Sequence, residues 1–442
     1  MQLSLSKLFL FLLATAVMGS GIGYSKLYLF HVVLVAFLMV WFVLQITGRG
    51  CVFYKPKSTY LYFWYVFFAW YLLSVIWSIE PLYALRYLFY LTIGISLIYL
   101  INSYINSRER YQEVFETLRV VFLLAIIIAL LEAFTSFRLP TSPYSEYAVY
   151  FGRKATDFLQ LEPNVQALIK SAPTAFWGNP NNLSVAMVMI APFFLMSKKI
   201  KWRWIGLLSI SVIVMMAGSR GAFIALIFGI VVYVYIKGLR YLIPAMFLGL
   251  LLSFSLIANI DKLKNSENSK VAELAWTGQV LYTYLFEQEE SMNSIGARQK
   301  LIRNGLDALW EANGLGVGGG GSQAVQERLG GVAGRLSSMH NFWVEVLVDA
   351  GVLMFSIFMI WYGLLSFKLY RIYTVTKDAF FKYHAGSLFI IMMVFLLAAV
   401  STSSVIYFFP MWLMFAMSIS VVSLYKIEKN SKLSYKKQGV NK

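Results

Sequence analysis

The sequence predicts an all-α integral membrane protein of about twelve transmembrane helices, and three observations predict it. Of its 442 residues, 59% are hydrophobic and 13% charged, whereas a water-soluble domain is roughly half apolar and a quarter charged. Apolar runs of about 20 residues, the length of helix that crosses a bilayer core, recur along the whole chain. Lysine and arginine are segregated, so that alternate connections between these runs are basic and the others are not.

Taken in order, the spans are expected near 7–23, 27–47, 60–79, 86–103, 118–136, 181–197, 203–218, 221–236, 242–259, 341–367, 384–403 and 406–425. The third, YLYFWYVFFAWYLLSVIWSI, and the fifth, LRVVFLLAIIIALLEAF, are unbroken apolar runs. The seventh and eighth are separated at Gly218-Ser219-Arg220-Gly221, because their combined length is close to twice what a bilayer needs. The first is read as a retained helix, since no small-residue cleavage pattern stands out before the next span. The organisation expected is five helices over 1–136, an outer loop over 137–180, helices six to nine over 181–259, a large outer loop over 260–340, helices ten to twelve over 341–425 and a basic tail over 426–442.

Lys7, Arg49, Lys55, Lys57, Arg108, Arg110, Lys198, Lys199, Lys201, Arg203, Lys237, Arg240, Lys368, Arg371, Lys377 and Lys382 fall on one side of this arrangement, with the tail. The opposite short loops hold little beyond Lys26, Arg86 and Arg220. The asymmetry puts both termini in the cytoplasm of a plasma membrane. It also accounts for the net charge of +17 as orientation and contact with anionic lipid heads, without nucleic acid. The single cysteine, Cys51, excludes an internal disulfide framework and a cysteine-based metal site.

The loops 137–180 and 260–340 are too long and polar to be mere connections. Within the second, NSIGARQKLIRNGLDALWEAN sets Ile295, Ile302, Leu306 and Leu309 at helical spacing, which predicts an amphipathic helix at the membrane surface. The following GLGVGGGGS lacks the Lys-Ser or Lys-Thr pair and the preceding strand of a phosphate loop, and is expected to be a flexible hinge.

One of three histidines, His340, stands directly before the tenth span, with Arg220 and Arg298 confined to the same outer face. By itself His340 reads equally well as a polar cap on a membrane helix. Two guanidinium groups beside an imidazole fit an anionic substrate next to a proton acceptor, since the guanidinium fork suits diphosphate oxygens. Glu345 and Asp349, four apart inside the tenth span, share a helix face with Asn341, and a structural or loop-anchoring role is expected for them. No acidic pair or histidine cluster in the outer loops has metal-ligand spacing, so neither metal nor cofactor is expected. A lipid or polysaccharide transporter (flippase) fits twelve helices as well, but no internal repeat is found and the polar constellation lies on one side.

SRGA at 219–222, ARQKLIRNGLDAL followed by GLGVGGG, and HNFWVEVLVDAGVL resemble the signature regions of the O-antigen ligase and O-antigen polymerase superfamily; NPNNLSVAMVMIAPFF at 179–194 is similar to a fourth. The resemblance implies a membrane-embedded glycosyltransferase architecture with a large extracytoplasmic loop before the tenth helix. It implies that Arg220, Arg298 and His340 correspond to the family's essential arginines and histidine; Asn341, Arg303 and Asn181 are expected as further substrate-binding residues beside them. The reaction implied is transfer of an undecaprenyl-diphosphate-linked glycan to a glycan or lipid acceptor in surface polysaccharide assembly, alongside a flippase and a chain-length regulator.

Overall fold

The structure, a computed structural model, describes residues 2–47, 53–56, 58–156, 171–239, 294–331, 337–400 and 406–439, with a few isolated positions between them. It is built of helices: α1 (Gln2–Met18), α2 (Leu29–Ile46), α3 (Tyr60–Ser74), α4 (Pro81–Tyr104), α5 (Arg108–Phe134), α6 (Pro180–Leu195), α7 (Ile200–Met216), α8 (Arg220–Ile236), α9 (Ser294–Glu311), α10 (Gly321–Arg328), α11 (Phe342–Val375), α12 (Ala379–Ala398) and α13 (Phe409–Gly439). Six of them, α2, α4, α5, α11, α12 and α13, are long and apolar enough to cross a membrane; α3, α6 and α8 are shorter apolar helices. The all-helical, multi-pass expectation therefore stands in outline. The expected ninth span, 242–259, lies almost wholly outside the described residues, as does 260–293. A two-residue hairpin, Gly23–Tyr24 against Leu27–Tyr28, joins α1 to α2 and was not foreseen.

The sequence marks its own helix starts. Pro81 and Pro180 occupy the first turns of α4 and α6, where a missing N–H removes no helix bond. Asn179, Asn341 and Asp378 cap α6, α11 and α12 by accepting first-turn backbone N–H groups. Arg108 bridges Asp378 at 2.8 Å and Glu428 at 2.5 Å, fastening α5, α12 and α13 together.

The core is aromatic: Trp64, Phe358, Trp361, Trp412 and Phe415 interlock between α3, α11 and α13. Gly94 of α4 lets the Trp412 indole approach so closely that an added Cβ would sit 2.2 Å from it. α12 packs on α8, α6 and α11, and the Phe342 N–H bonds the Ala399 carbonyl at 3.0 Å, joining the start of α11 to the end of α12. The first turns of α6, α8 and α11 thus gather at one end of the helices.

Above that end the loops are folded rather than loose. Arg153 donates to the Thr141 carbonyl at 2.8 Å and to that of Ser20, and Thr141 bonds the Gly21 carbonyl at 2.6 Å. The buried carboxylate of Glu132, which has no obvious partner in the sequence, accepts the N–H groups of Thr174 and Ala175, each at 2.7 Å, and seats the segment leading into α6.

Candidate active site

His340 is held in the left-handed region at φ 50°, a conformation that costs a non-glycine residue on the order of 1 kcal/mol or more. What the strain secures is the start of α11. The next residue, Asn341, accepts the N–H groups of Trp343 at 3.2 Å and Val344 at 3.3 Å through Oδ1. The capping role open to His340 in the sequence is therefore filled by Asn341, through its Oδ1. His340 Nδ1 is buried with no hydrogen-bond partner among the described residues.

The other two histidines are accounted for structurally. His31 Nδ1 accepts the Tyr28 N–H at 3.2 Å in the first turn of α2. His384 is enclosed by the rings of Tyr111, Phe115, Phe380 and Tyr383. Among the described residues, His340 is the histidine whose imidazole feels a neighbouring cation.

That cation is Arg298, in the first turns of α9. Burial and then the Arg298 charge push the His340 imidazole down to about 4. Burial and the nearby Arg220 in turn hold the Arg298 guanidinium below its ordinary value. Arg220 is the first residue of α8, reached through a turn at Gly218 with φ 64°. The three residues proposed from the sequence thus converge, from three elements far apart in the chain. Arg220 is felt at Arg298 and Arg298 at the half-buried imidazole, so like charges repel across the cluster, an arrangement that an anion would relieve.

Arg298 is aimed at this point because α9 does not lie free on a membrane surface. Its inward face is Arg298, Leu301, Gly305 and Leu309, at helical spacing. Leu301 and Leu309 are buried, and the Gly305 Cα lies so near Met339 that a Cβ would meet its methyl carbon at 2.7 Å. The face expected from the sequence is corrected accordingly: Leu306 is 41% exposed. Arg303, about 140° round the helix from Arg298, is exposed and stands outside the cluster.

Gln326, missed in the sequence, ties this assembly together. Its side chain donates to the Leu301 carbonyl at 2.9 Å and accepts from Asn304 at 2.9 Å, and it contacts the sulfur of Met339, next to His340. A fully buried glutamine between two helices is a signal only once the helices are known to meet.

The glycine run is likewise not the expected hinge. It is a strap stitched to a kink in α11. Val317 and Gly318 donate to the carbonyls of Val348 at 2.9 Å and Asp349 at 3.1 Å, and Val352 donates to Gly314 at 2.9 Å. The kink is at Gly351, φ 79°, where a Cβ would lie 2.2 Å from the Leu315 carbonyl oxygen. Glycine serves here to let backbone lie on backbone. Asp349 accepts the N–H groups of Gly320 and Ser322, and Glu345 accepts the Tyr87 hydroxyl at 2.6 Å, so both acidic residues anchor neighbouring structure.

Asn181 is the second residue of α6, half-buried, with its backbone N–H taken by the Asn179 cap at 2.8 Å. Among the described residues no hydrogen-bond partner meets the buried Oδ1 of its neighbour Asn182, and Ser219 Oγ is in the same condition beside Arg220.

Fold and site together define a multi-helix membrane protein with a cationic cluster and a neutral imidazole at one end of its helices. Residues 205–359, which contain all three clustered residues, match the family described as O-antigen ligase. The chain is also similar to the teichuronic acid biosynthesis protein TuaE of Bacillus subtilis (strain 168), 25% identical over 431 residues that cover 91% of this chain and 80% of the relative. The resemblance read from the sequence is borne out: the chain is similar to proteins of the O-antigen ligase or polymerase type.

Proposed function

We propose that the protein is a glycosyltransferase of surface polysaccharide assembly, moving an undecaprenyl-diphosphate-linked glycan onto an acceptor hydroxyl at the extracytoplasmic face. On this reading twelve helices span the plasma membrane with both termini cytoplasmic, and the end carrying His340 faces outward. The observation that carries it is the convergence of Arg220 and Arg298 on His340 within the matched region. In the transfer the acceptor oxygen attacks the anomeric carbon and the bond to the diphosphate oxygen breaks on the opposite face, inverting the centre. The hydroxyl proton passes to His340, while Arg220 and Arg298 hold the departing polyprenyl diphosphate, a task a metal ion performs in other transferases. The donor supplies its own driving force, so no cofactor is required.

Deleting the gene and examining the surface glycan tests this. Accumulated single repeats indicate a polymerase, long unattached chains a ligase, and an unaltered glycan refutes the proposal. Reporters fused after Lys270 and Lys377 test the orientation, the first expected outside and the second in the cytoplasm.

A further inference from the structure

A cavity of about 640 Å³ runs between α5, α6, α12 and α13 and reaches the turn after α6, at the end of the helices opposite Arg220. Its walls are apolar, among them Phe122, Leu123, Met189, Phe193, Leu413 and Met414. Its mouth is basic. Lys198 and Lys199, in the turn between α6 and α7, line it with Ser197, Arg119 and Trp202. The guanidinium of Arg119 is already paired with Glu116. Lys198 and Lys199 are exposed and have no carboxylate partner among the described residues. Trp202, 49% exposed at the lip, is the residue type that settles at the level of lipid headgroups.

An apolar slot of this size takes a molecule of several hundred Å³, and two unpaired ammonium groups at its entrance select a negative one. We propose that it is a binding site for an anionic phospholipid of the adjoining leaflet, with an acyl chain between α5, α6, α12 and α13 and the phosphate on Lys198 and Lys199. The proposal rests on the membrane reading above but not on the glycosyl transfer. The site is separate from the cluster at His340, because Lys198 and Lys199 follow α6 whereas Arg220 and Asn181 begin α8 and α6 at the other end. A lipid held there wedges α5 and α6 against α12, the helix on which α8 packs.

The test uses the purified full-length protein in non-ionic detergent, titrated with dioleoyl phosphatidylglycerol or dioleoyl phosphatidylcholine. Bound lipid is counted by native mass spectrometry, and stabilisation is followed by thermal unfolding. Phosphatidylglycerol is expected to bind in preference, and the Lys198→Ala/Lys199→Ala double variant to lose about 25-fold of that preference, given that each basic group near an anionic surface contributes about 1 kcal/mol, or roughly fivefold. Leu123→Trp and Met414→Trp, which fill the slot from opposite walls, are expected to lower binding of both lipids. Equal binding of the two lipids by the wild-type chain would overturn the proposal, as would an undiminished preference in the double variant. Unchanged lipid binding by whichever tryptophan variant folds would show that the lipid merely coats the surface. Displacement of phosphatidylglycerol by undecaprenyl phosphate, at equal strength in wild-type and double variant, would reassign the slot to the tail of the glycan carrier. None of these readouts depends on transfer, so failure of the lipid site and failure of the proposed reaction are distinguishable.

Discussion

The Asp349 carboxylate accepts the backbone N–H of Gly320 at 2.8 Å and thereby pins the glycine strap to the kink of α11. The same carboxylate takes the Ser322 N–H, also at 2.8 Å. Asp349→Ala leaves two buried N–H groups unpaired, and each such loss costs about 1–3 kcal/mol. The expected outcome is a fall in stability of about 2 kcal/mol or more, with faster hydrogen exchange over 316–322. Because α10 also carries Gln326, which holds α9, transfer should fall as well. Wild-type exchange in the strap would show that Asp349 is not its anchor.

Asn341→Ala should destabilise the protein by about 1 kcal/mol, the usual contribution of a helix cap, whereas Asn341→Asp and Asn341→Ser should retain most of it. Thermal unfolding separates this from a substrate-binding role, which would lower donor affinity in all three variants and leave stability untouched.

His340→Gln should reduce transfer by about 10²–10⁴-fold, the range typical of a positioned general base, with donor binding preserved. Glutamine offers a hydrogen bond of similar reach but takes up no proton at neutral pH. Substantial turnover by this variant would show that the imidazole only orients the acceptor.

The pH dependence has a fixed sign. With its pKa pushed down to about 4, the imidazole of the donor-free protein is neutral at physiological pH. As pH falls from about 6.5, the unfolded chain protonates its histidine before the folded one does, so this group's stabilising contribution is complete above that pH and is lost toward 4. A bound diphosphate offsets the charge of Arg298 and draws the imidazole back up. The acid limb of kcat should therefore lie at higher pH than that of kcat/KM. Coincident limbs would mean that the donor's charge is not felt at His340.

Arg220→Lys should be nearly as damaging as Arg220→Ala. Lysine keeps the charge but not the planar fork that engages two diphosphate oxygens together. Glycan assembly at the wild-type level by a normally expressed lysine variant would show that charge alone suffices.

The sequence by itself determined the solvent, the helices and the residues to watch. Apolar runs of span length admit few alternatives in a bilayer, because every backbone polar group must be satisfied within the helix. Asn179-Pro180 and Asp378 wrote their helix starts in local chemistry, and Arg220, Arg298 and His340 stood out as charged or titratable groups on one face. Tertiary structure alone decided what long-range packing controls. Arg298 joins the cluster and Arg303 does not, because Gly305 and Met339 fix which side of α9 turns inward. Glycines that read as a hinge became a rigid strap, because glycine permits flexibility and close backbone approach equally, and only the carbonyl of Leu315 against Gly351 chooses between them. The division between His340 and Asn341 was invisible for the same reason: adjacent polar residues before a helix compete for one cap, and only the folded backbone shows that Asn341 takes it while His340 adopts a positive φ.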